Sequence, residues 1–264
     1  MEIKKYGAID IGSNAIRLLI ANVIVKEGRE PQFKKSSLVR VPIRLGADSF
    51  VKGIITEENI KRMLDAMEAF KLLMRVHNVE RYKACATSAM REAKNGVEVV
   101  DKIFEETGVK IDIIGGKDEA AIISSTDLSE LISGTVRLLN NKKAVNKEIF
   151  ANVEKWIKKN TKDLKNLSLI GSGGNINKLF KMSGRTEGKP ISYIYLNAQY
   201  LFLKQMSYQE RISELSLNPD RADVIIPAAK IYLSAMKWSG ARKIYVPKIG
   251  LSDGIIKSLF YNKL

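Results

Sequence analysis

A strand end followed by a polar turn is the first feature of the sequence that could do chemistry. Asp10 ends an apolar run, Gly12 permits a tight turn, and Ser13 and Asn14 follow. Backbone N–H groups in such a turn can converge on an anion, and the two side chains add donors. Because a carboxylate crowded by phosphates needs a cation, Asp10 is also a candidate ligand for a divalent ion. The competing interpretation of this string is an ordinary hairpin turn.

Three other polar residues lie on or just after predicted strands. Arg91 could grip phosphate oxygens bidentately, or it could form a surface ion pair with Glu92 or Glu98. Thr87 could donate its hydroxyl to a phosphate or cap a helix. Arg17 could contact phosphate or pair with an acidic neighbour. The sequence leaves these alternatives open.

An acidic pair and a glycine-rich string complete the candidates. Asp118 and Glu119 begin a predicted helix, where acids also occur because they complement the helix dipole. Gly171-Ser172-Gly173-Gly174 joins a predicted strand to a helix, where glycines would let a ligand approach the backbone. The alternative for this string is a tight strand-to-helix turn.

The first half of the chain must position these residues, and its pattern predicts the order βββαβαβα. Alternating and β-branched runs predict strands, and apolar residues at helical spacing predict helices. The predicted strands span 3–10, 16–25, 32–45, 82–86 and 109–114, and the predicted helices span 56–77, 87–93, 96–107 and 118–131. A three-strand meander followed by alternating helices and strands is typical of a ribonuclease-H-like lobe. The later strands need crossover helices, so we expect them to add in parallel.

The second half repeats this pattern in part. Its predicted strands span 167–170 and 243–246, and its predicted helices span 146–158, 177–182, 194–206, 208–215, 219–238 and 252–260. The opening meander is missing, which would leave a sheet edge uncovered. We therefore infer that a segment between roughly Ser124 and Gly134 is deleted from the protein or omitted from the sequence as written.

Composition restricts the classes of partner. The 264 residues carry a formal net charge of +15, which favours an anionic partner, although dispersed surface lysines would give the same value. No basic block is interleaved with aromatic residues, so nucleic-acid binding is not favoured. One cysteine, Cys85, and one histidine, His77, make a structural zinc site improbable. The N-terminus has no signal-peptide pattern, and we expect a cytoplasmic protein with no membrane contact.

Six strings, taken in order, resemble the Ppx/GppA family of exopolyphosphatases and guanosine pentaphosphate phosphohydrolases. They are Ala8–Asn14 with Ile16–Leu18, Ala86–Asn95, Gly116–Ala120, Gly134–Leu138, Gly171–Asn175 and Pro219–Asp223. The family's second phosphate loop, an Asp-Ile-Gly-Gly-Gly-Ser-like string, has no full match. It should fall where the meander is missing.

The resemblance implies two ribonuclease-H-like lobes of the acetate/sugar kinase–Hsp70–actin superfamily, with a phosphate chain bound in the cleft between them. We expect lobes at 1–124 and 125–251, with the closing helix 252–264 able to pack back on the first lobe.

The implied reaction is Mg²⁺-assisted hydrolysis of a terminal phosphoanhydride of inorganic polyphosphate, guanosine pentaphosphate or both. Catalysis would use Glu119 as general base with Asp10 and Arg91, and Asp10 and Glu119 would hold Mg²⁺. The implied phosphate-binding residues are Gly12, Ser13, Asn14, Arg17, Thr87, Gly171, Ser172, Gly173 and Gly174.

Two other functions remain open on the same fold. One is a non-catalytic regulator that binds guanosine tetraphosphate or polyphosphate, and the other is an ATP-dependent phosphotransferase. A homodimer is possible under each of these readings.

Overall fold

The computed structural model describes residues 1–116, 118, 119, 122, 143–247 and 249–262. The chain divides into two compact units. Unit 1 comprises Met1–Glu130 and Gly250–Leu264, and unit 2 comprises Leu131–Ile249. The predicted lobe boundaries, 1–124 and 125–251, are retained as a proposal.

Unit 1 is built on a mixed five-stranded sheet with the strand order β3-β2-β1-β4-β5. The strands are β1 (Glu2–Ile11), β2 (Ile16–Val25), β3 (Gln32–Val41), β4 (Arg81–Ala86) and β5 (Ile111–Ile113). The first three strands form an antiparallel meander, and β4 and β5 add in parallel beside β1. This is the predicted arrangement, and it brings the C-terminal ends of β1, β4 and β5 to one edge of the sheet.

Each face of the sheet is covered by its own helices. The unit 1 helices are α1 (Leu45–Lys52), α2 (Glu57–Val76), α3 (Ser88–Glu92), α4 (Gly96–Thr107) and, from the C-terminus, α11 (Leu251–Phe260). On one face, Ile9 and Leu18 pack with α2 and α4 residues such as Met67 and Ile103. On the other face, Cys85 and its neighbours pack against α11. Successive side chains of β1 and β2 point to opposite faces of the sheet, and each face packs against its own helices. Both strands are therefore apolar at successive positions.

The predicted third strand is too long. The strand ends at Val41, and a helix that the sequence did not predict, α1, begins at Leu45. Arg44 adopts the left-handed conformation at φ 60°, and the Gly46 N–H donates to the Ser13 carbonyl at 2.8 Å. This contact with the β1–β2 turn redirects the chain, and strand propensity alone did not indicate it.

Unit 2 contains a three-stranded sheet with the order β6-β8-β7 within its described part. The strands are β6 (Ser168–Ile170), β7 (Ile191–Ser192) and β8 (Lys243–Tyr245). The helices are α5 (Lys143–Thr161), α6 (Gly174–Met182), α7 (Tyr193–Gln205), α8 (Tyr208–Ser213), α9 (Pro219–Ala222) and α10 (Ile225–Ser239). The inferred gap between Ser124 and Gly134 lies outside the described residues.

The helix predicted over 219–238 is two helices instead of one. It breaks between Ala222, where α9 ends, and Ile225, where α10 begins. Pro227 has no N–H to donate to the carbonyl four residues earlier, at Asp223, so a continuous helix is disfavoured there. A proline in the first turn of α10 is well tolerated, because N–H groups in that turn have no helical partner.

Candidate functional site

The β1–β2 turn places a buried carboxylate at the sheet edge. Asp10 is 6% exposed, and the Arg17 Nη1 lies 2.7 Å from its Oδ2. The two residues face each other across the β1–β2 register. Burial raises the pKa of Asp10 above its ordinary value, and the attraction of Arg17 partly offsets that rise. Arg17 therefore pairs with an acidic neighbour, which was one of the two interpretations that the sequence left open.

The rest of the turn is held by hydrogen bonds, and the Gly12 N–H is used in closing it. That N–H donates to the Ala15 carbonyl at 3.2 Å. The Ser13 and Ser88 hydroxyl oxygens are 3.1 Å apart, so the turn meets the start of α3. The sequence singled out Ser13 but missed Ser88, although Ser88 directly follows Thr87 in a string that resembles the family.

Thr87 immediately precedes α3, the short helix that follows β4, and Arg91 lies within that helix. Thr87 is buried, and its N–H and hydroxyl both donate to the Ile11 carbonyl, at 3.1 and 3.4 Å. The Arg91 Nη1 donates to the Ile114 carbonyl at 2.7 Å. Arg91 thus braces the end of β5 against α3, and one of its five N–H donors is committed to that contact.

Glu119 lies on the helical segment after β5 and shares an electrostatic environment with Asp10 and Arg91. Its backbone N–H donates to the Gly115 carbonyl at 2.9 Å. Burial raises the pKa of Glu119 above its ordinary value, the Asp10 charge raises it further, and Arg91 lowers it. The three residues proposed for catalysis, separated by up to 109 positions in sequence, are therefore close enough to influence one another.

Helix α11 supports the segment that carries Glu119. A Cβ atom on Gly254 would lie 2.1 Å from the Ile122 carbonyl oxygen, so the two backbones are in direct contact. Ile122 was not singled out from the sequence. Gly254 ends a Gly-Leu-Ser-Asp-Gly string that resembles the closing Gly-Leu-Arg-Glu-Gly motif of the family but lacks its arginine, which weakens any role for this turn in anion binding. Gly254 admits the backbone of Ile122 to this position because it has no side chain.

The glycine string of unit 2 has assignable structural roles. A Cβ atom on Gly171 would lie 2.8 Å from an Ile244 methyl group, so this glycine serves close packing. The Tyr232 hydroxyl donates to the Ser172 carbonyl at 2.8 Å, and burial raises the pKa of Tyr232 to about 12. Gly173 has φ 105°, a conformation that glycine adopts readily, and Gly174 begins α6.

The donor set in unit 1 fits a hard divalent cation. Asp10 and Glu119 are carboxylates whose charges repel each other, and a cation between them would relieve that repulsion. Mg²⁺ in proteins is commonly held by one or two carboxylates, with waters and substrate phosphates completing its shell. Among the described residues, no three His, Cys, Asp or Glu side chains cluster into a metal site.

Comparison with known proteins supports the resemblance to the Ppx/GppA family. Residues 25–140 match the model of the Ppx/GppA phosphatase family. The chain is 20% identical to the crystal structure of an exopolyphosphatase from Cytophaga hutchinsonii, with a TM-score of 0.82 over 98% of each chain. At that identity the likeness shows the fold, which is the predicted α/β fold.

Two curated relatives extend the comparison. A bifunctional 3-dehydroquinate synthase/phosphatase of Fusobacterium nucleatum is 27% identical over 296 residues, covering 90% of this chain and 44% of the relative. Exopolyphosphatase 1 of Mycobacterium tuberculosis is 27% identical over 118 residues, covering 45% of this chain and 33% of the relative. The chain therefore spans less than half the length of these relatives.

The Fusobacterium alignment also bears on the length of this chain. It extends over 296 positions, whereas the whole chain has 264 residues, so the relative contains residues within the matched stretch that have no counterpart here. Extra residues in the relative are what a missing segment in this chain would produce. The location of that segment stays a prediction.

No helix within the described residues is both long enough and apolar enough to cross a membrane.

Proposed function

We propose that this protein hydrolyses a terminal phosphoanhydride bond. The observation that carries the proposal is the shared environment of Asp10, Arg91 and Glu119 beside the β1–β2 turn. Two carboxylates and a guanidinium at one edge of a sheet supply a base, a cation site and a group that can hold phosphate oxygens. Phosphoryl transfer needs these components because its catalysis is mostly positioning and charge stabilisation.

Glu119 is proposed as the general base that orients and deprotonates the attacking water. A raised pKa makes its carboxylate a stronger base than an ordinary glutamate, which suits proton abstraction nearer neutral pH. Arg91 would direct its remaining N–H donors to phosphate oxygens, while its bond to the Ile114 carbonyl fixes the side chain. The facing hydroxyls of Ser13 and Ser88 would donate to the same phosphate chain.

The other phosphate contacts inferred from the sequence are retained with adjusted roles. Arg17 would act through Asp10, since the pair is already joined. Gly12 would provide room for the phosphate instead of an N–H donor, because its N–H closes the turn. Asn14, Thr87 and the Gly171–Gly174 string stay proposed phosphate-binding residues.

Mg²⁺ is the proposed cation, held by Asp10 and Glu119. When bound, it would neutralise phosphate charge and stabilise the leaving oxygen. Removal of divalent ions with a chelator should therefore abolish phosphate release.

The proposed substrates are inorganic polyphosphate and guanosine pentaphosphate. The name of the mycobacterial relative supports polyphosphate, and the family resemblance supports both. A cytoplasmic location belongs to the same proposal, because both anions are intracellular metabolites and Cys85 is a buried free thiol.

Phosphate release from each substrate, with purified Glu119→Gln and Asp118→Asn variants, tests the proposal. We expect Glu119→Gln to lower kcat by at least about 100-fold, the usual range for loss of a general base. Asp118→Asn is the matched control, because Asp118 is exposed and caps the Gly115 N–H at 3.3 Å, a contact that asparagine can keep. Near-normal turnover by Glu119→Gln would refute the assignment of the base.

A non-catalytic regulator is the second candidate. It is favoured by one observation, that the second phosphate loop of the family has no full match in the sequence. Tight binding of guanosine tetraphosphate without phosphate release from either substrate would select this alternative. Substrate-dependent phosphate transfer from ATP to an acceptor would instead select a phosphotransferase.

A further inference from the structure

Asn95 lies at the junction between α3 and α4, and its side chain bonds to a distant part of unit 1. Its carboxamide oxygen accepts from the Ile55 N–H at 2.8 Å, and its Nδ2 donates to the Ile55 carbonyl at 2.9 Å. An asparagine directly before a helix commonly caps the first turn with its side chain. Asn95 makes no such cap on α4. The side chain is instead committed to the segment between α1 and α2.

A backbone hydrogen bond reinforces this bridge. The Lys94 N–H donates to the Gly53 carbonyl at 2.9 Å, next to the Asn95 contacts. Ile55 is 1% exposed and belongs to the same core as Ala89 and Met90 of α3. The bridge therefore joins the C-terminal end of α1 to the C-terminal end of α3 beside the buried core.

The same two helices meet the β1–β2 turn at their N-terminal ends. In α1, the Gly46 N–H donates to the Ser13 carbonyl at 2.8 Å, and in α3 the Ser88 hydroxyl oxygen lies 3.1 Å from that of Ser13. Between these ends, α1 and α3 are in contact. The turn, α1, the Asn95 bridge and α3 thus form a closed ring of contacts along one side of the candidate site.

Helix α3 depends on such support because it has only five residues, too few to be stable by itself. Arg91 lies in this helix, and its Nη1 donates to the Ile114 carbonyl. A Cβ atom on Gly96 would lie 2.1 Å from the Met90 carbonyl oxygen, so the residue after Asn95 touches the backbone directly before Arg91. A displacement of the α3–α4 junction would therefore be passed on to Arg91.

We propose that Asn95 is a positioning residue for Arg91. By pairing with both backbone groups of Ile55, it fixes α3, and with it the Arg91 guanidinium and the Ser88 hydroxyl, at a set distance from the β1–β2 turn. Phosphoryl transfer depends on such positioning, and a displacement of about 1 Å is enough to slow it. The kinetic part of this inference rests on the proposed function, whereas the structural part does not.

Two substitutions separate the bridge from general stability. Asn95→Ser removes the bridge and keeps a residue that caps helices well. Thr107→Val is the matched control, because the Thr107 hydroxyl also makes two bonds to backbone, donating to the Ile103 carbonyl at 2.7 Å and accepting from the Val109 N–H at 3.2 Å. Thr107 lies at the far end of α4, outside the ring. Both variants should lower Tm by about 2–8 °C, the range for loss of one or two hydrogen bonds.

Hydrogen exchange measured by mass spectrometry tests the structural part without any substrate. The N–H groups of Met90 and Arg91 both donate to the Thr87 carbonyl at 3.1 Å, so their exchange reports local opening of α3. We expect this exchange to be at least about tenfold faster in Asn95→Ser and within about twofold of the parent rate in Thr107→Val. Unchanged exchange in Asn95→Ser, or equal acceleration in both variants, overturns the proposal.

A milder variant keeps the test valid if Asn95→Ser does not fold. Asn95→Asp keeps the acceptor for the Ile55 N–H and loses the donor to the Ile55 carbonyl. We expect an acceleration of exchange in α3 between those of the parent and Asn95→Ser. Exchange no faster than in Thr107→Val would contradict the bridge.

Phosphate release from tripolyphosphate and guanosine pentaphosphate tests the kinetic part, at a temperature well below each Tm. Asn95→Ser should lower kcat/KM by about 10- to 100-fold, and Thr107→Val should change it less than about twofold. In an Arg91→Gln background, Asn95→Ser should cost less than about threefold, because the group that it positions is already gone. Full additivity of the two substitutions would refute positioning of Arg91.

The two measurements distinguish failure of this inference from failure of the proposed function. A parent chain that releases no phosphate from either substrate refutes the proposed hydrolysis, and the hydrogen-exchange comparison then decides whether Asn95 holds α3. A parent chain that is active, with Asn95→Ser and Thr107→Val equally active, refutes the role of Asn95 and leaves the hydrolysis proposal standing.

Discussion

The carboxylates of Asp10 and Glu119 show how burial and neighbouring charge set the chemistry of single residues. Burial raises the pKa of both groups, and the Asp10 charge adds to the rise at Glu119. Arg17 stabilises Asp10 and Arg91 stabilises Glu119, so each carboxylate has its own cation. Both carboxyl groups therefore have a raised pKa, and a different arginine offsets part of the rise at each of them.

The pH profile of kcat/KM should report this arrangement. We expect its acidic limb above the ordinary pKa of glutamate, because activity requires ionised Glu119 and falls as the pH drops through a raised pKa. Asp10→Asn should move the limb to lower pH by removing a repelling charge. Arg91→Gln should move it to higher pH by removing an attracting one. The pH at which kcat/KM falls can be measured in both variants even though their maximal rates are lower.

Asp118→Asn serves as the control for this profile, because the adjacent carboxylate is not among the charges that shift Glu119. Its acidic limb should coincide with that of the parent protein. Shifts of Asp10→Asn and Arg91→Gln in the same direction would contradict the proposed electrostatics.

Asp48 illustrates a residue whose role is stability. It is buried at the join of α1 and α2, and it accepts from the Thr56 N–H at 3.1 Å and the Asn59 Nδ2 at 2.7 Å. Burial alone would raise its pKa, but these hydrogen bonds, with Lys52, lower it below the ordinary value. A carboxyl group whose pKa is lower in the folded than in the unfolded protein stabilises the folded state at pH values above the unfolded pKa. That stabilisation is lost as the pH falls through the pKa of the folded state.

Asp48→Asn should therefore lower the free energy of unfolding by about 2 kcal/mol at neutral pH, the range for hydrogen bonds to a charged group. Below the unfolded aspartate pKa of about 3.9, the difference from the parent should shrink, because both proteins then carry a neutral group. Denaturant melts at several pH values measure this. Asp65→Asn, on the exposed face of α2, is the control and should change little. A pH-independent difference would contradict the mechanism.

At the scale of elements, α11 links the C-terminal segment of the chain to the candidate site. It packs on the β1–β4 face through Leu251 and Ile255, and its Gly254 contacts the backbone of the Glu119-bearing segment at Ile122. The Asp253 carboxylate accepts from the Gly250 N–H at 3.0 Å and pairs with Lys35 at 2.8 Å, which fixes the start of the helix. The position of Glu119 is thus set in part by an element more than 130 residues later.

Gly254→Ala should reduce both activity and stability. A Cβ atom 2.1 Å from the Ile122 carbonyl oxygen forces the two backbones apart. Overpacking of this kind costs about 1–3 kcal/mol, and misplacement of a catalytic group by about 1 Å costs about 100-fold in rate. In a helix without such a contact, alanine would stabilise by up to about 1 kcal/mol, so the sign of the change is diagnostic.

Gly250→Ala is the matched control. Gly250 precedes the same helix at φ −147°, and a Cβ atom there would have no neighbour within 4 Å. Thermal melts and phosphate-release assays of the two variants should differ clearly. A Gly254→Ala protein with unchanged melting and unchanged kcat would show that α11 does not position Glu119.

At the scale of the whole molecule, the net charge of +15 bears on association with a polyanion. Basic residues raise the local concentration of an anionic substrate, and salt screens this attraction with a Debye length of about 10 Å at 0.1 M. The chemical step involves groups in close contact, which salt screens much less.

Added salt should therefore raise KM for polyphosphate severalfold and leave kcat nearly constant. Initial rates at increasing sodium chloride, with Mg²⁺ held saturating, measure both constants. A neutral osmolyte at equal osmolarity is the control and should change neither. If kcat falls while KM stays constant, long-range attraction is not what brings this substrate to the protein.

Much of the fold followed from the sequence because its signals are local. A nearly continuous apolar run predicted β2 over 16–25, and helical spacing with a terminal Gly108 predicted α4 over 96–107, both with the observed bounds. The break before α10 also had a local signal, Pro227. In contrast, α1 depends on the bond between Gly46 and the Ser13 carbonyl, which only the folded sheet provides.

The candidate site divides in the same way. Sequence alone determined which groups exist, since local patterns mark the strand that ends just after Asp10, the helical turn that carries Arg91 and the helix start at Glu119. Tertiary structure decided that they meet, because the strand order places β1, β4 and β5 side by side and so brings distant strand ends together. It also decided the partners of Arg17 and Arg91 and the support from Gly254, because contacts between distant residues depend on packing that no local pattern encodes.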